Sequence, residues 1–248
     1  MVDIALITTN WSEERFNLLK NTVNSIDRFV VKNKVMSIDL LEEGQLSLNQ
    51  FDIFKEKGWQ IVSDVGGSGS GMILNQIRAL KHCESDWVLA VEDDVLIHGI
   101  PDIQLLEKHK IDWLCYNCHI NNDIKVHEEY TSNINSYIVE DESVFLVKPL
   151  ELCDKWLLTF PASITKRNML LDLHDIAFKK ANNNSIEEGL SIAWKEIKAY
   201  NIALYLNQSV LKNVINISDL HPYAMMSYWN NDEAFRHESI NNKKSMWY

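Results

Sequence analysis

Along the first hundred positions, short unbroken apolar runs alternate with apolar residues at helical spacing. DIALIT reads as a buried strand. Ser12 then predicts a helix N-terminus, with Glu13 and Glu14 in the first turn where the helix dipole favours acids. Phe16, Leu19, Val23 and Ile26 fall on one face of that helix. VMSIDLL predicts a second strand. Ser47 and Gln50 form a capping-box pattern opening a short helix with Phe51 and Phe54, and WQIVSD predicts a third strand. VGGSGSG carries four of the eight glycines and leads into a helix, MILNQIRALKHC. A further buried strand, DWVLAV, ends in Glu92-Asp93-Asp94. This β-α repetition predicts an α/β domain with a mixed, mostly parallel central sheet covered on both faces. Ligands of such sheets bind beyond the carboxyl ends of the strands. Thr8 to Trp11, Asp39, Asp64 with its glycine loop, and the acidic triplet all sit at such ends and are expected to converge.

The second half is less regular. IDWLCYNCHI and ESVFLVK read as strands and PLELCDKWL as a helix. The polar stretch KKANNNS precedes a helix with Ile186, Leu190, Trp194 and Ile197 on one face, and IALYL reads as a last strand. The tail from Asn216 to Tyr248, with His221, Trp229, His237 and Trp247, shows no regular pattern. There is no internal repeat and no Pro-rich linker. The expectation is one domain over 1–248, with a ligand-binding half at 1–97 and a second half at 98–248 that includes the tail.

Composition narrows the function classes. The net charge of −11 opposes a protein that coats nucleic acid, which needs a basic surface to release counterions. MVDIALITTNW has no basic segment before its apolar run, so no signal peptide is expected, and no apolar run reaches membrane-span length. Four cysteines in a chain this long do not make a disulfide framework, which fits a cytoplasmic setting. Cys115-Tyr-Asn-Cys118-His119 has the spacing of haem attachment, but it lies in a strand pattern. A zinc site would need a second ligand pair, and none has the usual spacing.

Three acids at the end of a buried strand repel one another and resist desolvation. A divalent Mg²⁺ or Mn²⁺ answers that problem, taking oxygen ligands and bridging carboxylate to diphosphate. The competing reading is a solvated acidic turn. VGGSGSG likewise has two readings: backbone amides approaching a phosphate at a helix N-terminus, or a flexible strand-to-helix turn. Without a following Lys-Ser or Lys-Thr it is not a P-loop.

The order of these parts resembles the centre of the GT-A (Rossmann-like) glycosyltransferases. GSGSGMILNQIRALKHCESDWVLAVEDDV is similar to the family's glycine- and asparagine-containing loop and helix before an apolar strand ending in the D-x-D motif, here Glu-Asp-Asp. The resemblance implies that Asp94 ligates the metal, that Glu92 and Asp93 contact the ribose or the donor sugar, and that Gly69, Gly71 and Asn75 line the donor site. ALITTNW resembles the family's first strand, which places Thr8, Thr9, Asn10 and Asp39 at the nucleobase. IEEGLSIAWKEIKAYNIALYLN resembles the segment where an acidic pair opens a helix, with Glu187-Glu188 for the family's Glu-Asp; the second acid would be the base of an inverting enzyme. Ser185 to Glu188 is equally a capping box. His221, after the last strand, would be a further metal ligand, with His237 in reserve; a lone histidine is more often structural. Trp194 and Trp229 have the chemistry to stack on a sugar, although Trp194 lies on the apolar helix face.

The expectation is therefore a metal-dependent hexosyl- or pentosyltransferase that takes a sugar from a nucleotide-diphosphate donor, with Mn²⁺ or Mg²⁺ as cofactor and a glycan or small-molecule acceptor. The Asn- and Lys-rich wording (NNNS, INNKK) suits a low-GC bacterial or phage genome. It keeps open a phage enzyme that glycosylates a hydroxymethylated DNA base. Two further functions fit the same strand-end acids: a nucleotidyltransferase, and a non-catalytic nucleotide- or glycan-binding module.

Overall fold

The computed structural model describes residues 1–65, 71–97, 99–100, 102–108, 112–116, 139–140, 144–146, 162–180, 193, 202–205 and 235–237. Strand β1 spans Asp3–Thr9 and is followed by α1, Glu13–Ile26, and β2, Lys34–Leu40. A 3-10 turn at Leu48–Phe51 runs into α2, Asp52–Lys55, and then β3, Trp59–Val65. Helix α3, Gly71–Lys81, leads to β4, Trp87–Glu92, β5, Val95–Ile97, and α4, Ile103–Lys108. The remaining described elements are β6, Trp113–Tyr116; β7, Val139–Glu140; β8, Val144–Leu146; β9, Ala162–Lys166; α5, Arg167–Lys180; β10, Ile202–Tyr205; and β11, Phe235–His237.

The main sheet has the order β3-β2-β1-β4-β9-β6-β10-β8-β7. The first four are mutually parallel. β9 runs against both β4 and β6; β10 is parallel to β6, β8 antiparallel to β10, and β7 antiparallel to β8. Only β8 and β9 therefore oppose the common direction among the described strands of this sheet. The sheet is mixed and mostly parallel, as the sequence predicts, and strands from both halves of the chain share it.

The core follows from the pleat. Ile4 and Leu6 of β1, Met36 and Ile38 of β2, and Leu89 and Val91 of β4 are fully buried and cluster with Phe16, Leu19, Val23 and Ile26 of α1. Phe16 meets Phe51 and Phe54 edge-on, with ring centroids 5.1 and 5.7 Å apart. Ser12 caps α1 by accepting from Arg15 N at 3.2 Å. Gln50 Oε1 accepts from Ser47 N at 2.8 Å, the glutamine arm of the expected capping box.

Two of the departures from the sequence reading bear on the sheet and its carboxyl edge. Residues 162–180, to which the pattern assigns no element, form β9 and α5, and β9 enters the sheet between β4 and β6. The tail contains a strand after all: β11 pairs antiparallel with β5, placing His237 opposite Val95. PLELCDKWL, the glycine loop at 66–70, Cys118, His119 and Trp229 lie outside the described residues. So do Ile186, Leu190, Trp194 and Ile197 of the helix expected there, although Ala193 between them is helical and buried. Among the described residues no helix is long and apolar enough to cross a membrane.

Candidate functional site

β1, β2, β3 and β4 end side by side, so their last residues come together. Thr9 pairs with Asp39, Asp39 with Asp64, and Ile7 with Glu92. The expected convergence of Thr8, Thr9, Asn10, Asp39 and the acidic triplet is what the register produces, with the start of α3 (Gly71, Asn75) above it.

The triplet divides across the sheet. Glu92, Ile7 and Ser37 lie in register on one face, and Arg78 of α3 donates to Ser37 Oγ at 3.3 Å, so Glu92 belongs to the α3 face. Asp93 turns the other way, towards α1. Thr8 Oγ1 donates to Asp93 Oδ2 at 2.5 Å, and Thr22 Oγ1 donates to the Asp93 carbonyl at 2.8 Å. The Arg15 guanidinium spans the turn: Nη2 pairs with Asp93 Oδ1, and Nη1 with Asp94 Oδ2 at 3.0 Å. All four groups are buried: Arg15 and Glu92 are 4% exposed, Asp94 1% and Asp93 0%.

Arg15 is the residue that sequence reasoning missed. It shares a helical stripe with Leu19, Thr22 and Ile26, all buried against the sheet. That spacing was the available signal, masked by the exposed Glu13 and Glu14 beside it. Burial works against its charge, yet Asp93, Asp94 and Glu92 hold it protonated. Burial pushes the Asp93 carboxyl above its ordinary range, Arg15 pulls it back, and the Asp94 charge raises it again.

Several residues expected to line a donor site are engaged within the protein. The Asn10 amide clamps the loop after β2: its Oδ1 accepts from Leu41 N at 2.8 Å, and its Nδ2 donates to the carbonyls of Leu41 and Leu46 at 3.4 and 3.3 Å. Asn75 Nδ2 donates to the Thr8 carbonyl at 3.0 Å, tying α3 to the end of β1. Thr8 holds Asp93. Each of the three thus also fastens a neighbouring part of the protein.

Asp39 differs. It is 3% exposed, and its Oδ1 is buried without a hydrogen-bond partner. Burial raises its pKa, the Arg78 charge lowers it, and Asp64 raises it again. Its Oδ2 lies 2.8 Å from where a side-chain carbon at Gly71 would be. Gly71 thus makes room for the Asp39 carboxylate at the start of α3.

Carboxylate oxygens of this kind are what a hard divalent cation takes, and three buried acids against one buried guanidinium leave a formal excess of −2. No group of three or more ligating side chains among the described residues forms a ready cage. A magnesium-type ion can also be held by one or two carboxylates together with substrate phosphates. Gly69, Glu187, Glu188 and His221 lie outside the described residues. A cleft of about 590 Å³ at the opposite ends of the strands, lined by Val2, Trp87 and Glu107 among others, includes none of the strand-end group.

By sequence alone the chain matches no protein-family model and no curated protein. By structure it is similar to solved forms of S. aureus TarS. The 1–349 fragment superposes with a TM-score of 0.55 at 17% identity, covering 82% of this chain and 58% of that one. The chain therefore shares its fold with the TarS fragment. A longer TarS structure gives 0.51 at 17% identity, covering 82% and 35%, and the 1–349 fragment in complex with UDP gives 0.51 at 15%, covering 82% and 57%. This chain thus spans little more than half of the TarS fragment.

Proposed function

We propose that this chain is a metal-dependent glycosyltransferase that moves a hexosyl or pentosyl group from a nucleotide-diphosphate donor to an acceptor hydroxyl. The observation that carries the reading is the convergence of Asp39, Gly71 and Glu92-Asp93-Asp94 at the carboxyl edge of four parallel strands, a ligand-binding position in α/β sheets. The fold shared with TarS, solved with UDP, supports the donor class.

Asp39 is the base-recognition group. A buried carboxylate oxygen with no internal donor calls for an N–H, and the imide N–H of uracil supplies one. Asp94 would hold Mn²⁺ or Mg²⁺, which when bound neutralises charge on the departing diphosphate, and Glu92 would contact the ribose or the donor sugar. Asp93, fastened by Thr8 and Arg15, keeps the turn in place. The register of β11 brings His237 opposite Val95, one residue beyond Asp94, making it the tail histidine to test beside His221. Glu188 is assigned as the base that takes the acceptor proton in an inverting reaction, with Glu187 next to it. The whole chain, 1–248, is read as one domain whose second half receives a glycan or small-molecule acceptor; the setting is read as cytoplasmic and bacterial or phage. Modified DNA remains the second acceptor class.

A thermal-shift screen of nucleoside diphosphates and their sugars, with and without Mn²⁺, tests the reading. UDP-type ligands should stabilise the chain, and more so with the ion. Stabilisation by nucleoside triphosphates with no response to any diphospho-sugar would instead favour a nucleotidyltransferase.

A further inference from the structure

Arg78 of α3 stands beside the Asp39 carboxylate without meeting its open oxygen. A long side chain on a helix leans back over the turn before it, here towards Asn75 and Gly71. Arg78 Nη1 donates to the Ile38 carbonyl at 3.2 Å, to Ser37 Oγ at 3.3 Å and to Asn75 Oδ1 at 3.3 Å. Its Nη2 lies 3.6 Å from Asp64 Oδ2. The guanidinium is thus engaged by β2, by Asn75 and by an exposed acid, while Asp39 Oδ1 has no hydrogen-bond partner. Its charge still acts through space. Among the described residues, the charged groups that bear on Asp39 are Arg78 from α3 and Asp64 from β3; β1 brings the uncharged Thr9 and Asn10 to it. Burial and Asp64 favour the neutral acid, and Arg78 opposes them.

That balance decides which base fits. An ionised carboxylate only accepts hydrogen bonds, whereas a protonated one also donates. Uracil presents an imide N–H to such a group. Cytosine presents a ring nitrogen lone pair at the same position. The carboxylate pairs with the first and repels the second, and a neutral acid can donate to the second. We propose that Arg78, held off Asp39 by its own bonds to β2, keeps that carboxylate an acceptor and so selects uracil over cytosine in the nucleotide. Arg78 acts through Asp39 and is a positioning residue. This deepens the reading of Asp39 as the base-recognition group and rests on it.

The test is calorimetry of UDP and CDP, in the same buffer and divalent ion, on the wild-type chain, Arg78→Gln and Arg78→Lys between about pH 5.5 and 8.5. The Asp39 side-chain carbon is followed by NMR over the same range. The wild type should prefer UDP. Arg78→Gln keeps a donor for the Ile38 carbonyl but loses the charge, so Asp39 should titrate at a higher pH than in the wild type. Its preference for UDP over CDP should fall ~10-fold or more at the acid end and return as pH rises. Arg78→Lys keeps the charge and should keep most of the preference. A merely structural arginine would weaken both nucleotides alike. An equal loss for UDP and CDP in Arg78→Gln, or an Asp39 titration that does not move, overturns the proposal and leaves the base site standing. A wild-type chain that binds neither nucleotide sinks the base site itself, and the proposal with it. If neither variant folds, a structure of the wild-type chain with UDP decides. The uracil N–H should meet Asp39 Oδ1 with Arg78 still on the Ile38 carbonyl; an Arg78 bonded to Asp39 Oδ1 or to the base overturns the proposal.

Discussion

At position 71, a side-chain carbon would lie 2.8 Å from Asp39 Oδ2, so the carboxylate would have to move. Gly71→Ala is therefore expected to weaken nucleotide binding by roughly tenfold or more, about 1.4 kcal/mol, with little change in melting temperature. Calorimetry with UDP measures this, and unchanged affinity would remove Asp39 from the base site. The glycines before α3 were legible as a strand-to-helix turn; that one of them clears space for a buried acid was not, because the close approach joins α3 to β2, which are separated in sequence. The same limit hid Arg15. Sequence shows three adjacent acids and suggests a metal, whereas their first counter-charge comes from a helix 79 residues upstream of Asp94. The roles of Asn10 and Asn75 were blurred for a related reason: a polar residue has the same spelling whether it meets a ligand or the protein's own backbone.

Single contacts decide how the elements dock. Asp3, fully buried at the start of β1, accepts from Ser85 N at 2.8 Å, Glu84 N at 2.6 Å, Ser85 Oγ at 2.8 Å and Asn33 N at 3.1 Å. Burial raises its pKa, but these donors outweigh that and hold it below the usual carboxylate range. Asp3 thus fastens the turn into β4 and the turn into β2 onto β1. Asp3→Ala is expected to cost ~2–3 kcal/mol in urea unfolding, the range for buried donors left facing a lost charge. A loss under ~0.5 kcal/mol would show the turns are held by other means. Elements with long apolar runs or full helical stripes, β1 to β4 with α1 and α3, were legible from pattern. β9 was not: its five residues, ASITK, alternate apolar and polar too briefly to stand out, and its partners β4 and β6 are distant in sequence. For α5 a signal did exist, in the helical spacing of Met169, Leu170, Leu173 and Ala177. β11 carries three residues and gains its meaning only by pairing beside the acidic turn.

For the whole molecule, the mixed sheet and the convergence at its edge were legible because β-α alternation fixes direction and therefore which strand ends meet. Stability against pH has a marker in His174, fully buried in α5, whose pKa burial lowers to about 3. The unfolded chain takes up this proton near the ordinary value of about 6.5, and the folded chain does not until near pH 3. Stability should therefore be unaffected by this group above pH 6.5 and be lost as pH falls from there towards 3. His174→Phe should flatten the melting temperature between about pH 6.5 and 4; an unaltered slope would show that other groups set acid sensitivity. The charge of −11 bears on the acceptor. Transfer to a neutral glycan should change by less than ~2-fold between 50 and 200 mM salt, whereas a DNA acceptor contacted at six or more phosphates would lose about 10³-fold in affinity. Glu188→Gln should lower the transfer rate by ~10²-fold or more if Glu188 is the base, with stability kept because a glutamine serves a capping box as well as a glutamate does. The most direct measurement of the central claim is release of nucleoside diphosphate from a panel of nucleotide sugars by the purified chain with Mn²⁺, compared with Asp94→Asn. The account expects turnover of a uridine-based donor and a loss of ~10²-fold or more in the folded variant. Turnover by Asp94→Asn at the wild-type rate would contradict it.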